Sequence, residues 1–181
     1  MYSLKLFAIS EWKFTAIDHA DNPSISDRAG HLKEKEIAAG LHWIETYITF
    51  AEKAKETKHK LLTFLLRAKA EGKSIVGYGA PAKGNTLLNY RGISKDFIDY
   101  TVDCNLYKQG LFLPETHIPI LEPDKIRETK PDYVLILPWN LKEEIIEQMA
   151  FIGEWGGQFV VPIPEMKTYI SPIPDRVLIA S

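Results

Sequence analysis

The sequence predicts an α/β protein with a mainly parallel, Rossmann-like sheet of five strands and flanking helices, preceded by a β-hairpin and a long helix. Strand-like and helix-like segments alternate between residues 73 and 165, as in βαβ units. Asp132–Leu137 is a near-continuous apolar run, which is typical of a strand buried on both faces of a parallel sheet. Only Pro23 precedes residue 80, and the other ten prolines follow it, so the chain changes character there.

The first 72 residues predict a hairpin and then helix. Ser3–Ile9 and Trp12–Ile17 alternate apolar and polar residues, so residues 1–30 are assigned to a hairpin and a loop. Residues 31–72 form a helical segment that ends at Gly72. Its middle, Glu52–Lys60, is almost wholly polar, so it is one long helix or two helices joined near Glu56. Its apolar stripe is interpreted as core packing and consists of Ile37, Leu41, Ile44, Ile48, Ala51, Leu61, Leu62, Leu65 and Leu66.

Residues 73–165 are predicted to form the Rossmann-like domain, and residues 166–181 an extended tail. The predicted strands are Ser74–Gly77, Phe97–Asp103, Ile118–Ile120, Asp132–Leu137 and Gln158–Ile163, and the predicted helices are Ala82–Tyr90, Pro123–Thr129 and Leu141–Phe151. We expect the strand order 3-2-1-4-5, which has its topological switch point between strands one and four. Ligands of such sheets bind outside the carboxyl ends of the strands at that point, where the loops Gly79–Gly84 and Pro138–Asn140 would meet.

Composition excludes several classes of protein. The 181 residues are 45% hydrophobic, 11% aromatic and 25% charged, which excludes a disordered, collagenous or coiled-coil chain. The net charge of −2 argues against a non-specific nucleic-acid binder. A single cysteine, Cys104, excludes an internal disulfide and a multi-cysteine zinc site. No apolar run approaches 18 residues and no signal peptide is recognisable, so we expect a soluble cytoplasmic protein that does not contact membranes.

The most informative segment is the glycine-rich turn Gly77–Thr86, which follows a strand and opens a helix. Such a turn lets an anion approach the free N–H groups of the helix. Pro81 suits the first helical position, so Lys83 falls in the first turn, where a cation opposes the helix dipole, and Gly84 there is unfavourable relative to alanine. Two broken local rules together favour an anion site. Alternatively, Lys83 points into water and Gly84 allows close helix–strand packing.

Two nucleotide-binding motifs were tested against this turn. The dinucleotide fingerprint requires GxGxxG and an acidic residue about 20 positions on. Gly77, Gly79 and Asp103 fit it, but the third glycine is displaced to Gly84, so an NAD(P)-binding oxidoreductase domain stays a weak alternative. A phosphate-binding P-loop is excluded, because Asn85 occupies the position of its lysine.

Four separated segments resemble a known family. They are GYGAPAKGNTLLNYRGI, VDCNLYKQGLFLPETHIPI, PDYVLILPWNLKEEI and GGQFVVPIPE. They resemble the C-terminal domain of sugar-nucleotide C-methyltransferases, which transfer a methyl group from S-adenosylmethionine to a ring carbon of a deoxysugar nucleotide, usually a dTDP-linked keto sugar. The resemblance implies a Rossmann-like domain that helps to hold the sugar nucleotide. Full-length members also carry a zinc-binding domain and a methyl-donor domain, in which a tyrosine and a histidine act at the sugar.

Departures from the family limit what the resemblance implies. One cysteine is too few for the zinc domain, no second nucleotide-binding unit is recognisable, and Glu115 replaces the glycine of the family's Pro-Gly-Thr-His. The resemblance therefore implies a substrate-binding fragment or a stand-alone relative that transfers no methyl group alone. S-adenosylmethionine and zinc are expected only in the missing domains, with no cofactor in this chain. A further alternative is a non-catalytic module that docks on a separate methyltransferase subunit, or a homo-oligomer.

No catalytic residue and no metal ligand is predicted. Asn140 and Glu143 have the N-x-x-E spacing of a capping box. Trp139 is either a core plug or a stacking platform, and Cys104 is expected to be a small buried residue rather than a nucleophile paired with His117. Lys108 follows Asp103 and Asn105 in a segment that resembles the family's Asp-x-Asn-x-x-Lys-Gln-Gly, where it meets a phosphate or is a surface lysine. The predicted substrate-binding residues are Gly77, Tyr78, Gly79, Ala80, Pro81, Ala82, Lys83, Gly84, Asn85, Thr86, Asp103, Asn105, Lys108, His117, Trp139 and Asn140.

Overall fold

The computed structural model describes residues 27–171 of the chain. The predicted hairpin strands Ser3–Ile9 and Trp12–Ile17, and most of the predicted tail, lie outside the described residues. The chain forms two compact units, residues 1–51 and residues 52–181. Among residues 27–171, no helix is both long enough and apolar enough to cross a bilayer.

The helical segment consists of two helices, α1 (Asp27–Ala38) and α2 (Ile44–Ala70), and α2 continues across the boundary between the units. The break lies before residue 44, and α2 continues through Glu56, so of the two alternatives the joint near Glu56 is wrong. Gly40 adopts a left-handed φ of +73° there, and the Thr46 hydroxyl donates to its carbonyl at 2.7 Å. The polar stretch stays helical, with ion pairs one turn apart at Lys55–Glu52 (2.8 Å) and Lys60–Glu56 (2.9 Å).

The apolar stripe of these helices is buried only in its second half. Leu61 and Leu65 belong to the core, whereas Leu66 is exposed. Ile37, Leu41, Ile44, Ile48 and Ala51 are also exposed, so the interpretation of the whole stripe as core packing is wrong. Periodicity identifies a helix face but not the element that covers it, and a face is buried only where another element packs against it.

The second unit is built on a six-stranded sheet in the order β3-β2-β1-β4-β5-β6. The first five strands pair in parallel, which confirms the α/β class and the order 3-2-1-4-5. The sixth strand, which pairs antiparallel with β5, was not predicted. The strands are β1 (Ile75–Tyr78), β2 (Thr101–Val102), β3 (Ile120–Leu121), β4 (Tyr133–Ile136), β5 (Gln158–Val161) and β6 (Lys167–Ile170).

Within its described residues, the second unit has three further helices: α3 (Ala82–Arg91), α4 (Lys125–Thr129) and α5 (Lys142–Gln148). The predicted helix Leu141–Phe151 is divided, because 3₁₀ segments occupy Trp139–Leu141 before α5 and Ala150–Trp155 after it. The predicted second strand is shortened, because Phe97 and Ile98 turn back onto the carbonyl of Ser94 through their N–H groups at 3.1 Å.

Alternate residues of the central strands face two cores. Ile75 of β1 and Leu135 of β4 pack with residues of α2 and α3, whereas Val76 and Ile136 pack with residues of α4 and α5. Residues Val134–Leu137 are fully buried, as the apolar run predicted. β1 and β4 are neighbouring parallel strands, so the connections that follow them leave the sheet side by side at the carboxyl ends of the strands.

Candidate functional site

The glycine turn lies at the switch point of the sheet. Gly79 follows β1 with a φ of +84°, and its N–H donates to the Val102 carbonyl at 2.6 Å. A Cβ atom on Gly79 would lie 2.7 Å from Cδ of Pro138, so this position requires glycine for its conformation and for the close approach of the loop after β4. The two loops that the sequence predicted to meet here are therefore in contact.

The helix after the turn begins without a side-chain cap. Pro81 is the N-cap residue of α3 and not its first helical residue, as was predicted from the sequence. The helix itself starts at Ala82. Proline carries no side-chain acceptor, and no side chain accepts a hydrogen bond from the first N–H groups of α3. No acidic residue lies in the first turn. The first turn of α3 itself thus supplies no negative charge to the positive end of the helix dipole.

Lys83 connects α3 to the loop after β4. Its amino group donates to Oδ1 of Asn140 and lies 4.6 Å from the ring centroid of Trp139. Trp139 itself is partly buried and packs against both cores, so it is a core plug and also offers a ring face to a cation. Lys83 is exposed, so the interaction is a surface contact of modest strength.

Asn140 is not part of a capping box. It lies in the 3₁₀ segment Trp139–Leu141, and Leu141 is the N-cap residue of α5 and has no side-chain cap. The N-x-x-E spacing is satisfied in sequence, but the tight 3₁₀ turn moves the start of α5 beyond Asn140. Its side chain accepts the hydrogen bond from Lys83 instead.

The loop after β2 is braced against the glycine turn by Asp103. Oδ2 of Asp103 accepts hydrogen bonds from the Ala80 N–H at 2.7 Å and from Nζ of Lys108 at 3.1 Å, and Oδ1 accepts one from the Asn105 N–H at 2.8 Å. Lys108 also donates to the Ala80 carbonyl at 3.1 Å. Asp103, Asn105 and Lys108 therefore hold two loops together.

The charge of Asp103 is stabilised by this network. Burial alone would raise the pKa of the carboxyl, but hydrogen bonds from Asn105, Ala80 and Lys108 outweigh it and hold the pKa below its ordinary value. Gln109, which is not among the predicted site residues, donates through Nε2 to the Asp103 carbonyl at 2.9 Å. Gln109 is the glutamine of the Asp-x-Asn-x-x-Lys-Gln-Gly motif, so the motif could have identified it.

Two glycines of the turn, Gly77 and Gly84, are required by close packing. A Cβ on Gly84 would lie 2.8 Å from Cβ of Leu137, so this glycine allows α3 to pack closely on β4. A Cβ on Gly77 would lie 2.6 Å from Oγ1 of Thr101 on the neighbouring strand. Lys83 and Gly84 are both locally unfavourable in the first turn of α3. Close packing explains Gly84, but it does not explain Lys83.

Within the described residues, the side-chain oxygens of Asn85 and Thr86 form no hydrogen bond outside α3. Oδ1 of Asn85 is buried and has no hydrogen-bond partner there, and the Thr86 hydroxyl donates to the Ala82 carbonyl at 3.1 Å. Tyr78 is buried, and its hydroxyl lies 3.5 Å from Sγ of Cys104; burial and this contact raise the pKa of Tyr78. Cys104 itself is exposed, so its expected burial is wrong. It belongs to the loop that extends beyond the end of β2.

His117 is not brought to the glycine turn. It precedes β3, whereas the glycine turn follows β1, so the two lie at opposite ends of parallel strands. Its Nδ1 lies 2.8 Å from the Glu115 carbonyl. Glu115 and His117 both adopt left-handed φ values, +65° and +54°. The family's glycine at position 115 is thus explained by backbone conformation. Within residues 27–171, no group of histidine, cysteine and acidic side chains could hold a metal ion.

Comparisons with known proteins identify the family of the chain. A family model described as the C-methyltransferase C-terminal domain matches residues 12–164. The C-methyltransferase NovU of Streptomyces niveus is 35% identical over 150 residues, which are 83% of this chain and 35% of that protein. The chain thus spans about a third of the length of this relative. The crystal structure of UDP-D-quinovosamine 4-dehydrogenase from Vibrio fischeri aligns with 56% of this chain and 94% of its own, with 21% identity and a TM-score of 0.39.

Proposed function

The chain belongs to the C-methyltransferase C-terminal domain family, and from that premise we propose that it binds the sugar nucleotide on which methylation takes place. The diphosphate of the ligand lies at the start of α3. The sugar extends toward the loop after β4, and the methyl donor is bound outside residues 52–171. The ligand class that we favour is a dTDP-linked keto-deoxysugar.

The observation that carries this proposal is the position of Lys83 at an uncapped helix start. A lysine in the first turn is unfavourable beside the positive end of a helix, unless an anion lies between or beside them. The first N–H groups of α3 have no side-chain cap, and Lys83 has no acidic partner within the described residues. A diphosphate supplies the negative charge that both lack, and Asn140 holds the amino group near that position.

The neighbouring loop supports the placement of the sugar. Trp139 and Asn140 follow β4, and Pro138 touches the glycine turn. Ligands of open α/β sheets bind at the switch point between such loops. A tryptophan face and an amide are suitable partners for a sugar ring, because the ring offers C–H groups to an aromatic surface and hydroxyl groups to an amide.

The NAD(P) alternative loses its main support. It depended on Asp103 as the acceptor for a ribose hydroxyl, but the carboxylate already accepts three hydrogen bonds from Ala80, Asn105 and Lys108. Most of the acceptor capacity of this carboxylate is therefore used within the protein.

The binding test is a thermal-shift panel of dTDP-, UDP- and GDP-sugars together with NADH, on the full chain. A ligand at about 100 times its dissociation constant adds ~2.7 kcal/mol, which is a rise of roughly 5–10 °C in melting temperature. We expect a dTDP-sugar to give the largest rise. A rise with NADH and none with any sugar nucleotide would overturn the proposal.

The residue test compares Lys83→Ala with Lys95→Ala, a substitution of another exposed lysine that lies between α3 and β2. Hydrogen bonds to charged groups imply that Lys83→Ala weakens binding of the sugar nucleotide by about 10- to 100-fold. Lys95→Ala should bind like the wild type. High salt should weaken the wild type more than Lys83→Ala, because a partly exposed ion contact is screened. Equal affinities of the two variants would reduce Lys83 to a surface residue.

A further inference from the structure

The loop between β2 and β3 carries an exposed tyrosine that the core does not explain. Tyr107 is 92% exposed and its neighbour Leu106 is 78% exposed. Leu111 and Phe112 of the same loop are also exposed, and several exposed apolar side chains on one loop make it a candidate contact surface for a ligand or a partner. The residues on either side of Leu106 and Tyr107, by contrast, are engaged in hydrogen bonds.

The backbone that carries Tyr107 is held in place. Its N–H donates to Oδ1 of Asn105 at 3.0 Å, and the N–H of Lys108 donates to the Asn105 carbonyl at 2.9 Å. Asn105 is in turn bonded to Asp103. The aromatic ring is therefore carried by a braced loop, and the side-chain freedom that it loses on binding is that of two torsions.

Tyr107 lies on one side of the glycine turn, and Trp139 lies on the other. β1 lies between β2 and β4 in the sheet, Tyr107 follows β2, and Trp139 follows β4. Lys108, the next residue after Tyr107, reaches the carbonyl of Ala80 in the turn itself. A ligand whose diphosphate lies at the start of α3 thus has an aromatic ring on each side.

We propose that Tyr107 is the stacking platform for the base of the sugar nucleotide. This inference rests on the proposed function, and it specifies the orientation of the ligand: sugar toward Trp139 and Asn140, base toward Tyr107. Asp103 has the position of the acidic residue that binds a ribose in dinucleotide-binding domains, but its carboxylate already accepts three hydrogen bonds from the protein. The Tyr107 ring therefore holds the nucleoside end of the ligand. Stacking tolerates different bases, because every base has a π-face.

The experiment measures by calorimetry the affinity of the full chain for three probes: dTDP-glucose, glucose 1-phosphate and inorganic pyrophosphate. Tyr107→Ala should weaken the binding of dTDP-glucose by about 5- to 100-fold, as the loss of one stacked base does. It should leave the affinities for the other two probes unchanged. Tyr107→Phe should bind dTDP-glucose like the wild type, because it keeps the ring. Tyr90→Ala is the matched control, since Tyr90 is also exposed but lies near the C-terminal end of α3.

The outcomes separate this inference from the proposed function. If the wild type binds none of the probes, the proposed function fails and the inference with it. If the wild type binds dTDP-glucose and Tyr107→Ala binds it equally well, only the inference fails, and the exposed loop is better explained as a docking surface for another protein. Base stacking would also be overturned if Tyr107→Ala weakened the binding of all three probes equally. The same holds if Tyr107→Phe bound dTDP-glucose as weakly as Tyr107→Ala.

Discussion

Replacing Arg91 with methionine should stabilise the protein. Arg91 is the last residue of α3 and is only 5% exposed. Its Nε and Nη1 atoms are buried, and neither has a hydrogen-bond partner within residues 27–171. Burial lowers the pKa of the guanidinium, because the charged form is incompletely solvated there. The side chain thus combines the cost of a buried charge with that of two unpaired donors.

The magnitude follows from these two costs. An unsatisfied buried donor costs ~1–3 kcal/mol, and replacing buried charges with apolar residues of similar volume is neutral or stabilising by ~1–4 kcal/mol. Removing a cation from the last turn of α3 costs ~0.3–1 kcal/mol. We expect Arg91→Met to raise the free energy of unfolding by about 1–3 kcal/mol, which corresponds to roughly 2–10 °C in melting temperature.

The assay is urea denaturation followed by tryptophan fluorescence and circular dichroism. Arg67→Met is the matched control, because the Arg67 side chain is 69% exposed on α2 and its contact with Glu71 is long, at 3.9 Å. The control should stay within about 0.5 kcal/mol of the wild type. A less stable Arg91→Met beside an unchanged Arg67→Met would show that the buried guanidinium stabilises the fold, and would refute the reasoning.

Three further predictions concern the glycine turn and the loops around it. Gly84→Ala should lower the free energy of unfolding by about 1–3 kcal/mol, despite the better helix propensity of alanine, because the added Cβ would overlap Leu137; an unchanged urea midpoint would contradict this. Glu115→Gly should raise the melting temperature by about 1–4 °C, since glycine relieves ~1–2 kcal/mol of left-handed strain and loses ~0.4–1 kcal/mol through the unfolded state; a fall would contradict it. The folded pKa of Asp103 lies below its unfolded value, so its contribution to stability is complete above the unfolded pKa of about 3.9 and is lost as pH falls through the folded pKa. Asp103→Asn should therefore be less stable than the wild type at pH 7, and the gap should narrow below about pH 4 in melts recorded across pH; a gap independent of pH would exclude this linkage.

Much of the sheet was predictable because its signals are local. An apolar run identified β4 as a strand buried on both faces, and the alternation of strands and helices was enough to predict the order 3-2-1-4-5. β6 was not predicted, because its four residues are mostly exposed and become a strand only by pairing with β5. A strand that buries little surface of its own leaves little trace in the pattern of its residues.

The candidate site was predictable in its position but not in its contacts. Lys83 and the loop after β4 were both identified, and they meet. Asn140 was assigned to a cap and instead accepts a hydrogen bond from Lys83, because a 3₁₀ segment shifts the start of α5. His117 was included through the resemblance, yet it lies at the other end of the strands.

The sequence by itself determined the fold class, the family and the glycine turn, because periodicity, punctuation by glycine and proline, and ordered motifs are properties of neighbouring residues. The tertiary structure alone decided which groups are paired, buried or free. Asp103 bonds to Ala80, 23 residues away, Cys104 is exposed, and the Arg91 guanidinium is buried with two atoms unpaired within residues 27–171. Hydrogen bonding and burial depend on residues that are distant in sequence, and the pattern around a single position cannot specify them.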